Sequence, residues 1–186
     1  MDNISLKALA KINLGLDVVR RRDDGYHEVR MIMQTIRMYD QLDMRKSVEP
    51  GIHTNLFFLP VNENNLVYKA AKLLIDEFGI QEGVSVGLTK KIPVAAGMAG
   101  GSTDAAAMLF GMNRLFGLGL SKKQLMERGV KIGADVPYCI MRGTALAEGI
   151  GDKLSPLPAM VKCPVLIAKP QISVSTKFVY QNLKLD

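Results

Sequence analysis

Pro93-Val94-Ala95-Ala96-Gly97-Met98-Ala99-Gly100-Gly101-Ser102-Thr103-Asp104-Ala105-Ala106-Ala107 begins where an alternating strand pattern stops and ends inside an amphipathic helix. Ala and Gly fill six of its first eleven positions, so the backbone is nearly bare. An uncovered backbone lets another molecule approach closely. The helix that follows aims its free N-terminal N–H groups and its positive dipole end at the same place, which is how proteins hold phosphates. The stretch reads as a phosphate loop, against the plainer alternative of a Gly-rich connector. It is not the G-x-x-x-x-G-K-[ST] loop, since no lysine follows Gly100 or Gly101. Nor is it the dinucleotide fingerprint, whose acidic partner would end a second strand about 20 residues on. Positive charge must come from elsewhere in the sequence, with Lys11 and Lys90 as candidates.

Upstream, Val84, Val86 and Leu88 alternate with Ser85, Gly87 and Thr89, giving the strand that feeds the loop. Before it, Leu66, Val67, Ala70, Ala71, Leu73, Leu74 and Phe78 have helical spacing, with Gly79 as the stop signal. Ile4 to Val19 keeps a period of two and reads as two consecutive strands or one bent strand; Lys11 and Asn13 share one face, equally readable as the wet side of a sheet. A turn at Asp24-Gly25 leads through Tyr26-His27 into a long strand pattern from Val29 to Asp43. Ser47 to Pro60 suits a hairpin. Downstream, Ala105, Met108, Leu109, Met112, Leu115 and Phe116 form one apolar stripe, and Ser121 caps a further helix, Lys122 to Val130. Gly133-Ala134-Asp135-Val136-Pro137 breaks that helix, and Tyr138 to Met141 resumes as a strand. Thr144 to Leu157 reads as a hairpin turning at Gly149-Ile150-Gly151-Asp152, Val165 to Ala168 as a short buried strand, and Ser175 as the start of a last helix that carries Phe178, Val179 and Tyr180. The class is α+β.

Of the 186 residues, 48% are hydrophobic and 23% charged, a core-forming composition. No apolar run approaches the ~18 residues of a membrane span. Two cysteines and two histidines exclude a disulfide framework and a structural zinc site, and point to the reducing cytoplasm. The net charge of +6 suits an anionic partner, whether nucleotide, phosphorylated metabolite or nucleic acid.

The pattern P-x-x-A-G-x-x-G-G-S-x-D-A-A resembles the central motif of the GHMP kinases, the superfamily of galactokinase, homoserine kinase and mevalonate kinase. Ala8-Leu9-Ala10-Lys11-Ile12-Asn13-Leu14 is similar to that family's first motif. Asp24-Gly25-Tyr26-His27-Glu28, Ile132-Gly133-Ala134-Asp135-Val136-Pro137 and Gly143-Thr144-Ala145 resemble the branch whose alcohol substrate is a cytidine diphosphate-linked methylerythritol. The resemblance runs essentially the whole length. It implies an N-terminal ATP-binding domain over 1–160, of the ribosomal-protein domain 2-like fold with a mixed, largely antiparallel sheet packed with helices. It implies too that 161–186 begins a C-terminal domain whose remainder, with a third Gly-rich motif, is missing.

The same resemblance implies ATP and Mg²⁺ as cofactors, a small-molecule substrate, no nucleic acid or membrane partner, and a monomer or weak homodimer. Lys11 and Asp135 match the catalytic pair beside the substrate hydroxyl. Asn65 and Lys90 match the adenine side. Pro93, Val94, Ala95, Ala96, Gly97, Met98, Ala99, Gly100, Gly101, Ser102 and Thr103 match the ATP phosphate loop, Ser102 as a phosphate or magnesium contact. Asn13, Tyr26, His27, Thr176 and Tyr180 match the substrate side, with Tyr26 and Tyr180 as flat walls for a cytosine and His27 reading its edge; no residue is a dedicated metal ligand. Ala99 stands where many relatives have glycine, with little loss expected because its methyl is small. The rival readings are a GHMP kinase for another alcohol, or a non-catalytic fragment that binds nucleotide or nucleic acid.

Overall fold

The computed structural model describes residues 1–170, 172 and 176–183, that final run without the side chains of residues 176, 177 and 181. The chain is α+β. Two long strands, β1 (Asn3–Arg21) and β2 (His27–Ser47), form an antiparallel ribbon closed by the turn at Asp24-Gly25. Then come β3 (Gly51–Thr54), α1 (Leu66–Phe78), β4 (Gly83–Thr89), α2 (Gly100–Leu115), α3 (Lys122–Val130), α4 (Val136–Met141), β5 (Thr144–Gly149), β6 (Lys153–Pro156) and α5 (Thr176–Asn182). The sheet runs β3-β4-β2-β5-β6, with β1 along the other edge of β2.

One feature of this sheet positions everything of functional interest. Along a single edge, β2 pairs first with β5 (Val29 to Gln34) and then with β4 (Gln41 to Ser47). Between them, residues 35–40 face neither strand, so the sheet forks. The C-terminal end of β4 and the N-terminal start of β5 meet at this fork. Whatever leaves β4 and whatever enters β5 therefore converge there.

Helix α2 closes one face of the sheet, with α1 and α4 packed beside it. Met33, Leu42, Met44 and Leu88 from the strands meet Met108, Leu109 and Met112 from α2 and Leu74 from α1, all buried. The approach is close: a Cβ on Gly111 would lie 2.3 Å from the Met44 sulfur. Glycine is what lets the helix sit so near the sheet.

Three expectations fail. Tyr138 to Met141 is not a strand but helix α4. A four-residue apolar run cannot separate a strand from a buried helix, and Pro137, at the first turn where its missing N–H costs nothing, starts the helix. Ser47 to Pro60 is not a hairpin: β3 pairs in parallel with β4, with α1 as the crossover that a parallel pair requires. Val165 to Ala168 is irregular and open to solvent, with Leu166 97% exposed. The alternation along β1 also breaks. Register shifts at Leu9/Lys11 and Asn13/Gly15 bury Ala10 and Lys11 in succession and leave Leu14 and Leu16 exposed. Such bulges re-aim side chains, here Lys11. Ser175 lies outside the described residues. Among the described residues, no helix is long and apolar enough to cross a membrane.

Candidate active site

The glycine stretch leaves β4 at the fork and runs into α2. Ala95, Gly97 and Ala99 all take positive φ, at 54°, 69° and 55°. Ile92 and Met98 bury themselves against Ala10 and pin the loop inward, while the Met98 carbonyl accepts from the Lys11 N–H at 3.2 Å. The register shift at Leu9/Lys11 is what turns that N–H from β2 toward the loop. At the start of α2, Ala99 is the N-cap and supplies no side-chain cap, so the first-turn N–H groups stay open to an incoming anion.

Beneath the loop lies a buried ion triad. Asp40, from the forked part of β2, takes the Lys90 ammonium on Oδ2 and the Lys91 and Ile92 N–H groups on Oδ1, at 2.5 and 2.8 Å. Lys90 also donates to Asp104 Oδ2 at 2.6 Å, and its backbone exchanges two hydrogen bonds with the Asn55 amide. All three charged side chains are under 5% exposed. Asp104 Oδ1 is buried with no partner. Burial pushes the Asp104 carboxyl up to about 7; Lys90 opposes the rise and Asp40 adds to it. Lys90 thus lines the cleft with its charge already held by two carboxylates. Asp40, Asn55 and Asp104 were not singled out from the sequence. A signal existed for Asp40, an acid in phase with the inward-facing Leu42 and Met44.

On the other arm of the fork, Tyr138 anchors α4. Its hydroxyl donates to the Gly143 carbonyl at 2.7 Å and lies 3.0 Å from Thr35 Oγ1, which itself accepts from the Gly143 N–H. Burial pushes that phenol up to about 12. The anchoring fixes Asp135, the N-cap of α4, whose side chain makes no capping bond and is half-buried. Burial and then the charge of Asp135 push the buried Cys139 thiol up to about 12, while Lys11 acts against them. The Lys11 ammonium donates to Asn13 Oδ1 at 3.2 Å.

These groups share one cleft of about 630 Å³, lined by Lys11, Asn13, Asn65, Lys90, residues 93–102, Asp135 and Tyr180. That volume is in the range of about 300–1,000 Å³ typical of small-molecule sites. Asn65 stands in the wall with its amide in use, capping α1 through Val67 N and donating to the Pro60 carbonyl at 2.7 Å. Thr103 is turned away, its hydroxyl donating to the Leu9 carbonyl at 2.8 Å.

Tyr26, His27 and Tyr180 are the described side chains expected to form the base pocket. His27 and Tyr180 face each other, ring centroids 5.2 Å apart and tilted by 31°. Tyr26 and His27 both lie outside the cleft lining, with Tyr26 62% exposed and His27 half-buried. Burial raises the Tyr180 phenol, and the Asp135 charge adds to the rise; both residues line the same cleft. Only the backbone of Thr176 is described, so its expected contact lies outside the described residues. Among the described residues, no group of three or more His, Cys, Asp or Glu could form a metal cage.

Residues 65–143 match the model of the GHMP kinases N terminal domain. Over its whole length the chain is 62% identical to a 4-diphosphocytidyl-2-C-methyl-D-erythritol kinase of Lachnoclostridium phytofermentans, and over 98% of its length 62% identical to one of Lachnospira eligens. It spans 65% and 64% of those two proteins. A crystal structure of 4-(cytidine 5'-diphospho)-2C-methyl-D-erythritol kinase superposes with a TM-score of 0.78 at 33% identity, over 97% of this chain and 65% of that one. By motif, fold and these similarities, the chain carries a GHMP kinases N terminal domain over residues 65–143 and resembles the kinases named here along essentially its whole length.

Proposed function

We propose that this chain is the nucleotide-binding part of a kinase that transfers the γ-phosphate of ATP to the 2-hydroxyl of 4-diphosphocytidyl-2-C-methyl-D-erythritol, and that residues from 161 onward begin a second domain. One observation carries the proposal: an uncapped helix start, Lys11 and Asp135 line a single cleft. Phosphoryl transfer asks little covalent chemistry of a protein and much positioning and charge neutralisation. The open N–H groups at the start of α2 hold phosphate oxygens, and Lys11 adds a point charge as negative charge shifts during transfer. Asp135 orients the alcohol and accepts its proton while the oxygen bonds to the γ-phosphorus and the bond to ADP breaks. Mg²⁺ carried in on the triphosphate would neutralise phosphate charge there, with Ser102 in the cleft wall as its candidate protein contact.

Replacing Asp135 by Asn keeps the shape and removes the base. In a chain carried to the length of its relatives, kcat is expected to fall by about 10²–10⁴ while ATP binding persists. Coupled ADP release and an ATP titration measure both. Near-normal turnover would remove Asp135 from the mechanism.

A further inference from the structure

We propose that Asp40, Lys90 and Asp104 are positioning residues for the nucleotide, a clasp that holds the two ends of the glycine loop in the register its N–H array needs. The proposal rests on the kinase reading above. The entry of the loop is fixed by Asp40, which takes the N–H groups of Lys91 and Ile92, and by the Asn55 bonds to the Lys90 backbone. The exit is fixed at Asp104, in α2, which meets the same ammonium. Lys90 thus joins both ends through one side chain. It also touches the back of the loop: a Cβ on Gly100 would lie 3.2 Å from its Nζ.

The composition of the clasp argues for placement over other roles. Buried charges are a poor source of stability, since well-packed apolar groups of the same volume do as well or better. This one carries an added burden, a second carboxylate with an unpaired oxygen. Nor does the triad act by attraction, because two carboxylates already neutralise the only cation in it. What it provides is a directional link among β2, the exit of β4 and the start of α2, three elements that otherwise splay apart at the fork. The loop is then built before the nucleotide arrives.

Lys90→Met would strand two facing carboxylates and threaten the fold, so the test is made at Asp104. Asp104→Ala cuts the exit link and leaves the Lys90–Asp40 pair intact; Asp104→Asn keeps an acceptor for Lys90. The readouts are titration calorimetry with ATP and with CDP, amide hydrogen exchange across residues 97–102, and thermal unfolding. Asp104→Ala is expected to weaken ATP about tenfold, since small misplacements of binding groups carry costs of this size. Exchange in the loop speeds up, CDP affinity holds, each variant still shows a cooperative thermal transition, and Asp104→Asn returns ATP affinity to within about twofold. If the alanine variant does not fold, Asp104→Ser, also too short to reach Nζ, gives the same readout. Unchanged ATP affinity in the short variants, or equal losses for ATP and CDP, would overturn the clasp and leave the kinase reading standing. A wild-type chain that binds no ATP overturns the kinase reading, and the clasp with it.

Discussion

Asp104 holds Lys90 with one carboxyl oxygen and leaves the other buried and unpaired. Burial lifts its pKa from 3.8 to about 7. Between those two values the folded chain keeps a proton that the unfolded chain has lost. Stability from this group is therefore intact below pH 4 and drains away as pH rises toward 7. At about 1.4 kcal/mol per unit the loss reaches up to about 4 kcal/mol. Asp104→Asn cannot ionise, so its urea midpoint should fall less between pH 5 and pH 8 and exceed that of the wild type at pH 8. Parallel curves for the two proteins would contradict the assignment of the proton to Asp104. The same residues show how much of the site could be read in the sequence. The glycine loop, Lys11 and Asp135 were legible because their neighbours in sequence form motifs. The triad was not, because Asp40, Lys90 and Asp104 come together only through the fork in the sheet, which no local pattern encodes. Lys90 was legible as a cation near the loop, but not as one already held by carboxylates.

At the scale of elements, the start of α2 is built from an alanine in a glycine conformation. Ala99 sits at φ 55°, ψ 31°, as the left-handed N-cap. Its Cβ is therefore strained by the backbone whatever the space around it, a cost of about 1–2 kcal/mol for an L-residue. The small size of the methyl, the sequence-based reason to expect little loss, is not the quantity that matters. Ala99→Gly relieves the strain but frees the unfolded chain, so the net gain should be about 1 kcal/mol or less, seen as a higher urea midpoint with ATP affinity unchanged. A lower midpoint would mean that the Ala99 methyl, which packs on the core, outweighs the strain. The other helices were readable because their ends are marked. Asn65 caps α1 and Gly79 closes it at φ 61°, while Ser121 and Gln124 form a reciprocal capping box on α3. Helix α4 carries no such marks beyond Pro137, and β1 conceals register shifts that depend on its partner. Tertiary context decided both.

For the whole molecule, the question is how distant parts of the chain make one recognition surface. His27 opens β2, while Tyr180 belongs to α5, reached through a run that has no regular structure from Leu157 to Pro170. Their rings nevertheless meet at 5.2 Å, and Tyr180 also lines the cleft that holds Lys11 and Asp135. Tyr26, the neighbour of His27, points outward at 62% exposure. If this corner receives the cytosine, the pair His27 and Tyr180 must carry more of its binding than Tyr26 does. An aromatic platform under a base is worth about 1–3 kcal/mol by alanine substitution, which is about a tenfold loss or more. Tyr180→Ala and His27→Ala should therefore each weaken CDP by about tenfold or more, and Tyr26→Ala by less, with ATP affinity unchanged in all three. Calorimetric titration with CDP and ATP separates the two ligands. A Tyr26→Ala variant that loses CDP while the other two keep it would move the base to the outer face of the ribbon turn. Equal losses for ATP and CDP in every variant would mean that these rings shape the cleft as a whole and read no base.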